Sequence, residues 1–302
     1  MQITAMRRWR VKSTTWVKYL LLILLVLPIV WQSLPYFQRP LRQPLTVILG
    51  PGVTYERIVL TQPRSTLLHV VKLDLTQPQL NFLVTPGQVS PDGNELNALT
   101  TTQFLKRYQQ QLAINASFFY PFSEEAPWDY YPMTGDRANA VGYAVADGRI
   151  YSDGYHVPTW ATICFDRQNR VQILPQSNCP LGAQQGLSGN QLILQAGRPK
   201  GLSENDKPYP RTIVGTDGAG QTLWLLIVDG KQPWYSEGLT IAEVIPWLQQ
   251  WGVQTALNLD GGGSSTLAIA TRRGAKLLNA PIHNKIPMTE RPVANHLGVR
   301  WH

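Results

Sequence analysis

TLWLLIV (Thr222–Val228), TIAEVIPWLQQWG (Thr240–Gly252), TALNL (Thr255–Leu259) and DGGGSS (Asp260–Ser265) follow one another along one stretch of the chain. The first run is apolar and bounded by turn residues, so it reads as a strand. In the second, Thr240 and Glu243 have capping-box spacing, and Gly252 suits the left-handed position that ends a helix. A helix from about Ile241 to Trp251 is expected, with Pro246 as a possible kink. Thr255–Leu259 reads as a short strand running straight into Asp260. Strand, helix and strand in this order predict a crossover inside an otherwise antiparallel protein, which is an α+β arrangement.

Working outward, Asp217-Gly218-Ala219-Gly220 joins Thr222–Val228 to the strand Arg211–Gly215, and Asp147-Gly148 joins Val141–Val145 to Arg149–Tyr151. Asp-Gly between strand runs is a strong hairpin cue. Thr162–Phe165 and Val171–Leu174 flank another turn. Towards the N-terminus, Thr46–Leu49, Tyr55–Leu60, Leu67–Leu75 and Leu80–Val84 read as strands. Leu67–Leu75 alternates only partly and is expected to be covered on both faces. Thr100 and Gln103 cap a helix over about Thr101–Gln110. Leu112–Asn115 is a strand, and residues 120–140 form a long irregular stretch of the kind that is often functional.

The glycine block carries the chemistry. An apolar strand ends in a carboxylate, then Gly261, Gly262 and Gly263, then the hydroxyls of Ser264 and Ser265. Consecutive glycines let backbone N–H groups approach an anionic oxygen, and Asp260 suits an acid, a base, a nucleophile or a metal ligand. Asp229 ends the strand before the helix, which is expected to return the chain so that Asp229 lies near Asp260. Arg211 opens a strand and is a candidate phosphate fork. Asn115 ends an apolar strand, where it could bond a sugar or orient a carboxylate. Glu290-Arg291 precedes the last strand and offers a second carboxylate and a phosphate clamp. The five histidines lack zinc spacing, and no G-x-S-x-G elbow is present.

The formal net charge is +8, but residues 1–18 hold Arg7, Arg8, Arg10, Lys12 and Lys18 and no acid, leaving +3 for the other 284 residues. Without a basic stripe, nucleic acid is not an expected partner. Trp16–Trp31 is almost wholly apolar, and no small-x-small cleavage site follows it. An uncleaved anchor is expected: a basic cytoplasmic tail over 1–15, a membrane anchor or signal over 16–36, a linker over 37–45 and one domain over 46–302. The protein is then single-pass in the cell membrane, with its domain outside. In an oxidising compartment Cys164 and Cys179 would form a disulfide, with two reduced thiols as the alternative. The fold class expected is α+β, mostly antiparallel strands with a few helices packed on the sheet, preceded by one N-terminal transmembrane helix.

Taken in order, several segments resemble the phosphodiester glycosidases, the family of the mammalian enzyme that removes N-acetylglucosamine from mannose-6-phosphate diesters. They are Ile114-Asn115-Ala116-Ser117-Phe118-Phe119, Gly189–Gly197, Arg211-Thr212, Val228-Asp229-Gly230-Lys231, Ala256–Thr266 and Arg291-Pro292-Val293-Ala294-Asn295. Ala116-Ser117 stands where the family often has glycines. The resemblance implies hydrolysis of a sugar-1-phosphodiester, with bacterial relatives commonly labelled as exopolysaccharide-associated. It implies Asp260 as the catalytic carboxylate with Asp229 or Glu290 as partner. It also implies Asn115, Arg211, Gly261, Gly262, Gly263, Ser264, Ser265, Arg291 and Asn295 around a sugar-phosphate or glycan substrate. No cofactor is expected. Three alternatives stay open: a glycan-binding protein using Trp128, Tyr130, Tyr131 and Trp234; a serine-dependent transferase through Ser264 or Ser265; and a divalent-cation phosphodiesterase holding its ion between Asp229 and Asp260.

Overall fold

The large sheet has eight strands in the order Leu45–Gly50, Val53–Leu60, Thr66–Asp74, Thr222–Val228, Arg211–Thr216, Thr255–Asn258, Gln191–Gln195 and Arg198–Pro199. Every neighbouring pair is antiparallel. Thr222–Val228 and Thr255–Asn258 both lie antiparallel to Arg211–Thr216, so they run parallel to each other with that strand between them. This is the crossover the sequence announces. The computed structural model describes residues 13–88 and 95–302, with the side chains of 13–15, 17, 18 and 28–32 left out.

Both faces of the large sheet's central strands are buried. Val71, Leu73, Val214, Leu225 and Ile227 point into a core shared with two five-stranded antiparallel sheets. One of these runs Gly274–Leu277, Leu267–Thr271, Leu112–Asn115, His296–Arg300, Asn81–Val84, and the other is built on Ala161–Phe165 and Gln185–Gly189. Leu68, Val70, Ile213, Trp224, Leu226 and Val228 point the other way, onto a helix. Period-2 alternation with both sets apolar is what blurs the pattern in Leu67–Leu75.

The helices are α1 (Ser13–Gln38), α2 (Thr101–Arg107) and α3 (Ile241–Gln250). Both expected capping boxes form, Thr100 with Gln103 and Thr240 with Glu243. In α3 the buried residues Ile241, Val244, Ile245 and Leu248 recur at helical spacing and cover the large sheet. Each stabilises by about 1.5–3 kcal/mol relative to exposure. α2 ends at Arg107 instead of Gln110, because Gln109 turns to a φ of 52°. The irregular stretch 120–140 contains short strands, including a hairpin of Ser123–Ala126 with Asp129–Tyr131.

The expected transmembrane helix is corrected: no helix among the described residues is long and apolar enough to cross a membrane. α1 has 26 residues, yet its charge-free run Tyr19–Trp31 spans only about 20 Å at ~1.5 Å per residue, against a hydrocarbon core of ~30 Å. Gln32, Ser33 and Gln38 follow it inside the same helix. Residues 1–12, with most of the basic tail, lie outside the described residues. Contacts divide the chain after Gln38. Residues 39–43, expected as linker, pack on the body: the Tyr235 hydroxyl donates to Pro40 O at 2.8 Å, and Arg42 donates to Leu60 O at 3.3 Å. Cys164 and Cys179 form the disulfide, with Cα atoms 5.7 Å apart.

Candidate active site

Two strand ends meet at the site. Asn115 closes Leu112–Asn115 of one sheet, and Asp260 follows Thr255–Asn258 of the other. The Asp260 N–H donates to Ala116 O at 3.1 Å, and Asn115 Nδ2 donates to Asp260 O at 2.7 Å. Asn115 Oδ1 accepts from the Thr212 hydroxyl at 2.9 Å and from Thr266 N at 3.1 Å. Asn115 is thus spent on joining strands, and it aligns the Asp260 backbone without facing a substrate. Asn295 does the same for the next turn, its Oδ1 accepting from Ser117 N at 2.8 Å.

Asp260 lies on the wall of a cavity of about 380 Å³ that is also lined by Phe118, Phe119, Phe122, Tyr209, Arg211 and Arg291. Among the described residues lining it, Asp260 is the one carboxylate. Burial lifts its carboxyl to about 6, against the opposing pull of the Ser264 hydroxyl, the Arg291 guanidinium and the Gly261 N–H. Ser264 Oγ also accepts from Arg291 Nη1 at 3.2 Å, so one hydroxyl ties the anion to the cation. Arg291 is held further by His283 Nδ1 at 3.3 Å, by an ion pair with Glu124 and by the Phe122 ring 4.6 Å from its Cζ. Burial, then Arg291, depresses His283 to about 4, so its imidazole is neutral and can accept.

The glycine loop, expected as a cradle for an anionic oxygen, is tied into the protein around it. Four of its amides have partners within the protein: Gly261 N–H on Asp260, Gly262 N on Pro210 O at 2.9 Å, Ser264 N on Gly261 O at 3.2 Å and Ser265 N on Gly262 O at 3.3 Å. The glycines also answer to packing. A Cβ on Gly261 would come to 2.7 Å from Pro210 O, and one on Gly263 to 2.7 Å from Arg291 Nη2. Gly262 has a φ of +63°, a conformation that favours glycine. Ser264 and Ser265 are buried. They position their neighbours, with Ser265 Oγ 3.2 Å from the Thr212 hydroxyl oxygen.

The two expected partner carboxylates lie elsewhere. Asp229 sits behind the loop in a buried chain: Tyr55 hydroxyl to His69 Nδ1 at 2.8 Å, His69 Nε2 to Asp229 Oδ2 at 3.0 Å, and Asn279 Nδ2 donating to Asp229 Oδ1 at 2.9 Å and to Ser265 O at 3.0 Å. Ala280 N–H also donates to Asp229, so its oxygens are filled and it supports the loop from below. A cation shared with Asp260 would have to displace these partners. No group of three or more His, Cys, Asp or Glu among the described residues is arranged to hold a metal ion. Glu290 caps α2, accepting from Thr102 N at 2.9 Å and from the Thr102 hydroxyl at 2.5 Å. Arg211 lines the cavity, but its guanidinium is committed to Asp206, Leu239 O and Lys207 O. Of the sugar-stacking candidates, Trp128 and Trp234 are exposed, while Tyr130 packs edge-on against His283.

A family model described as phosphodiester glycosidase matches residues 108–300, which hold every residue of the cavity wall. The chain belongs to the phosphodiester glycosidase family. Among solved structures it is similar in fold to a zebrafish N-acetylglucosamine-1-phosphodiester alpha-N-acetylglucosaminidase catalytic domain, auto-inhibited by its pro-peptide. The identity there is 18%, covering 89% of this chain and 94% of that one, with a TM-score of 0.61. It is also similar to a hypothetical protein from Synechocystis, at 14% identity and a TM-score of 0.62 over 86% of this chain. This chain spans 64% of that protein's length. No curated protein matches.

Several residues of the candidate site in this phosphodiester glycosidase escaped the sequence. Asn258 precedes Asp260 by two positions, and side chains two apart at a strand end share a face, so a local signal existed. Phe118 and Phe119 stood in a quoted motif with no role given. Glu124 and His283 come from distant segments and carry no spacing signal.

Proposed function

We propose that this phosphodiester glycosidase hydrolyses the bond between the anomeric carbon of a sugar and the oxygen of a phosphodiester. The observation that carries the reading is the Asp260–Ser264–Arg291 arrangement on the cavity wall: one buried carboxylate with a raised pKa, bridged by a hydroxyl to one cation. Asp260 takes a proton from water as the water oxygen bonds to the anomeric carbon. The C–O bond breaks and its electron pair leaves on the phosphate oxygen, giving a phosphomonoester. Such a leaving group is already a stable anion, so a second carboxylate acting as general acid is unnecessary, and Arg291 stabilises the charge that develops. The aromatic walls Phe118, Phe119 and Phe122 face the apolar side of the sugar ring.

The Cys164–Cys179 disulfide supports an oxidising, extracytoplasmic compartment, and we place the activity in exopolysaccharide or envelope glycan metabolism there. The test is hydrolysis of sugar-1-phosphate methyl diesters in ¹⁸O-water with chelator present. The reading expects ¹⁸O on the anomeric carbon and turnover that Asp260→Asn abolishes. Label in the phosphate, or activity lost to chelator, would overturn it in favour of phosphodiester P–O cleavage.

A further inference from the structure

Next to the catalytic cavity lies a second recess of about 260 Å³. The two share Asn190, Arg211 and Asn258 as common wall. The sill between them is a pair of amides, Asn258 Nδ2 donating to Asn190 Oδ1 at 2.9 Å. Asn258 is buried, and its Oδ1 has no protein partner among the described residues, so the sill keeps unused accepting capacity.

The lining of the recess differs in kind from that of the catalytic cavity. Gln191, Ser203 and Asn205 supply amides and a hydroxyl. Its two charged members neutralise each other, since Arg211 is paired with Asp206 and the other Asp206 oxygen accepts from Ile241 N at 2.6 Å. A phosphate entering here would find no available cation, and a base or aromatic aglycone would find no aromatic wall. A neutral polyol finds donors and acceptors on several sides. Arg291, the cation beside Asp260, lines the other cavity, whereas its ion-pair partner Glu124 does not. The ensemble is therefore polarised, with a charged end for the scissile phosphodiester and a neutral polar end beyond the sugar.

We propose that this recess is a second sugar subsite, so that the enzyme acts on a glycan of at least two sugar units carrying the phosphodiester on its terminal anomeric carbon. The proposal rests on the reading of Asp260 and Arg291 given above. Asn258 and Asn190 are its specificity residues, because they bound both spaces. Occupancy of the recess by the second sugar adds hydrogen bonds that a monosaccharide diester cannot make.

The test uses two matched series of substrates for the whole chain: methyl phosphodiesters of hexose and N-acetylhexosamine 1-phosphates in both anomers, and the same compounds extended by one β-1,4-linked sugar. The expected result is a kcat/KM at least tenfold higher for the extended member of the best pair. Asn205→Trp, which fills the recess from its rim, brings that ratio towards one. Equal constants for both members, or a ratio unchanged by Asn205→Trp, overturn the subsite and leave the hydrolase reading standing. In parallel, the reaction-blocked Asp260→Asn protein is titrated with both series by calorimetry. Tighter binding of extended members without hydrolysis by the native protein keeps the subsite and overturns the hydrolase reading. Neither binding nor hydrolysis of any member overturns both.

Discussion

Asp260 is asked to be both buried and charged, and the two demands oppose each other. A carboxyl raised from 3.8 to about 6 corresponds to about 3 kcal/mol of unfavourable ionisation in the folded state. Because the folded pKa lies above the unfolded one, that penalty is absent below about pH 4 and fully present above about pH 6. Asp260→Asn is therefore expected to abolish turnover and yet raise the melting temperature at pH 8, with the gain vanishing as the pH falls to 4. Thermal melts across that range check it. Under the proposed mechanism the same carboxyl sets the rate: kcat/KM is expected to fall as the pH drops through about 6, about tenfold per unit below it, as for a base that must be ionised. At this scale the sequence was legible where chemistry is local. The Asp-Gly-Gly-Gly-Ser-Ser block announced a site and placed its carboxylate. It did not announce that the Gly262 amide is taken by Pro210 O, since Pro210 lies about fifty positions away in sequence.

Elements explain why neighbouring charges do different work. Glu290 stood beside Arg291 in the sequence and invited a catalytic reading, but α2 returns its N-terminus to that point and uses the carboxylate as a cap. Glu290→Gln is expected to lower stability by about 0.5–2 kcal/mol while leaving kcat/KM within a few-fold, and urea melts with parallel kinetics separate the two effects. Gly263 makes the opposite case. An alanine methyl there meets the Arg291 guanidinium, whose position Ser264, His283 and Glu124 fix from three sides. Gly263→Ala is expected to lower kcat on the order of a hundredfold, the effect of an ångström-scale misplacement, with little change in melting temperature. The capping boxes of α2 and α3 were readable because they depend on residues three apart. The Tyr55–His69–Asp229–Asn279 chain was not, because it links four separate strands and loops.

Across the whole molecule, three antiparallel sheets share one apolar core, and the site lies where strand ends from two of them are joined through Asn115. The Cys164–Cys179 link ties the strand Ala161–Phe165 of a neighbouring sheet to a following loop, and neither cysteine lines the cavity that holds Asp260. Replacing both cysteines by alanine removes about 3 kcal/mol in the chain-entropy model and is expected to lower the melting temperature by about 6–12 °C, with Asp260-dependent turnover at 25 °C retained. The sheet order was only half legible: strand runs and hairpins follow from alternation and Asp-Gly turns, whereas pairing such as Leu112–Asn115 with His296–Arg300 spans most of the chain and leaves no periodic trace. The Arg291–Glu124 ion pair has a consequence for affinity. In the resting protein the cation already has an anionic partner, delivered by a hairpin of the same chain at a high effective concentration. Under the proposed function, a phosphodiester arriving at Arg291 would displace that tethered carboxylate, and its measured affinity would be the difference between two ion pairs. On that reading Glu124 is a built-in competitor that closes back on Arg291 as the product departs.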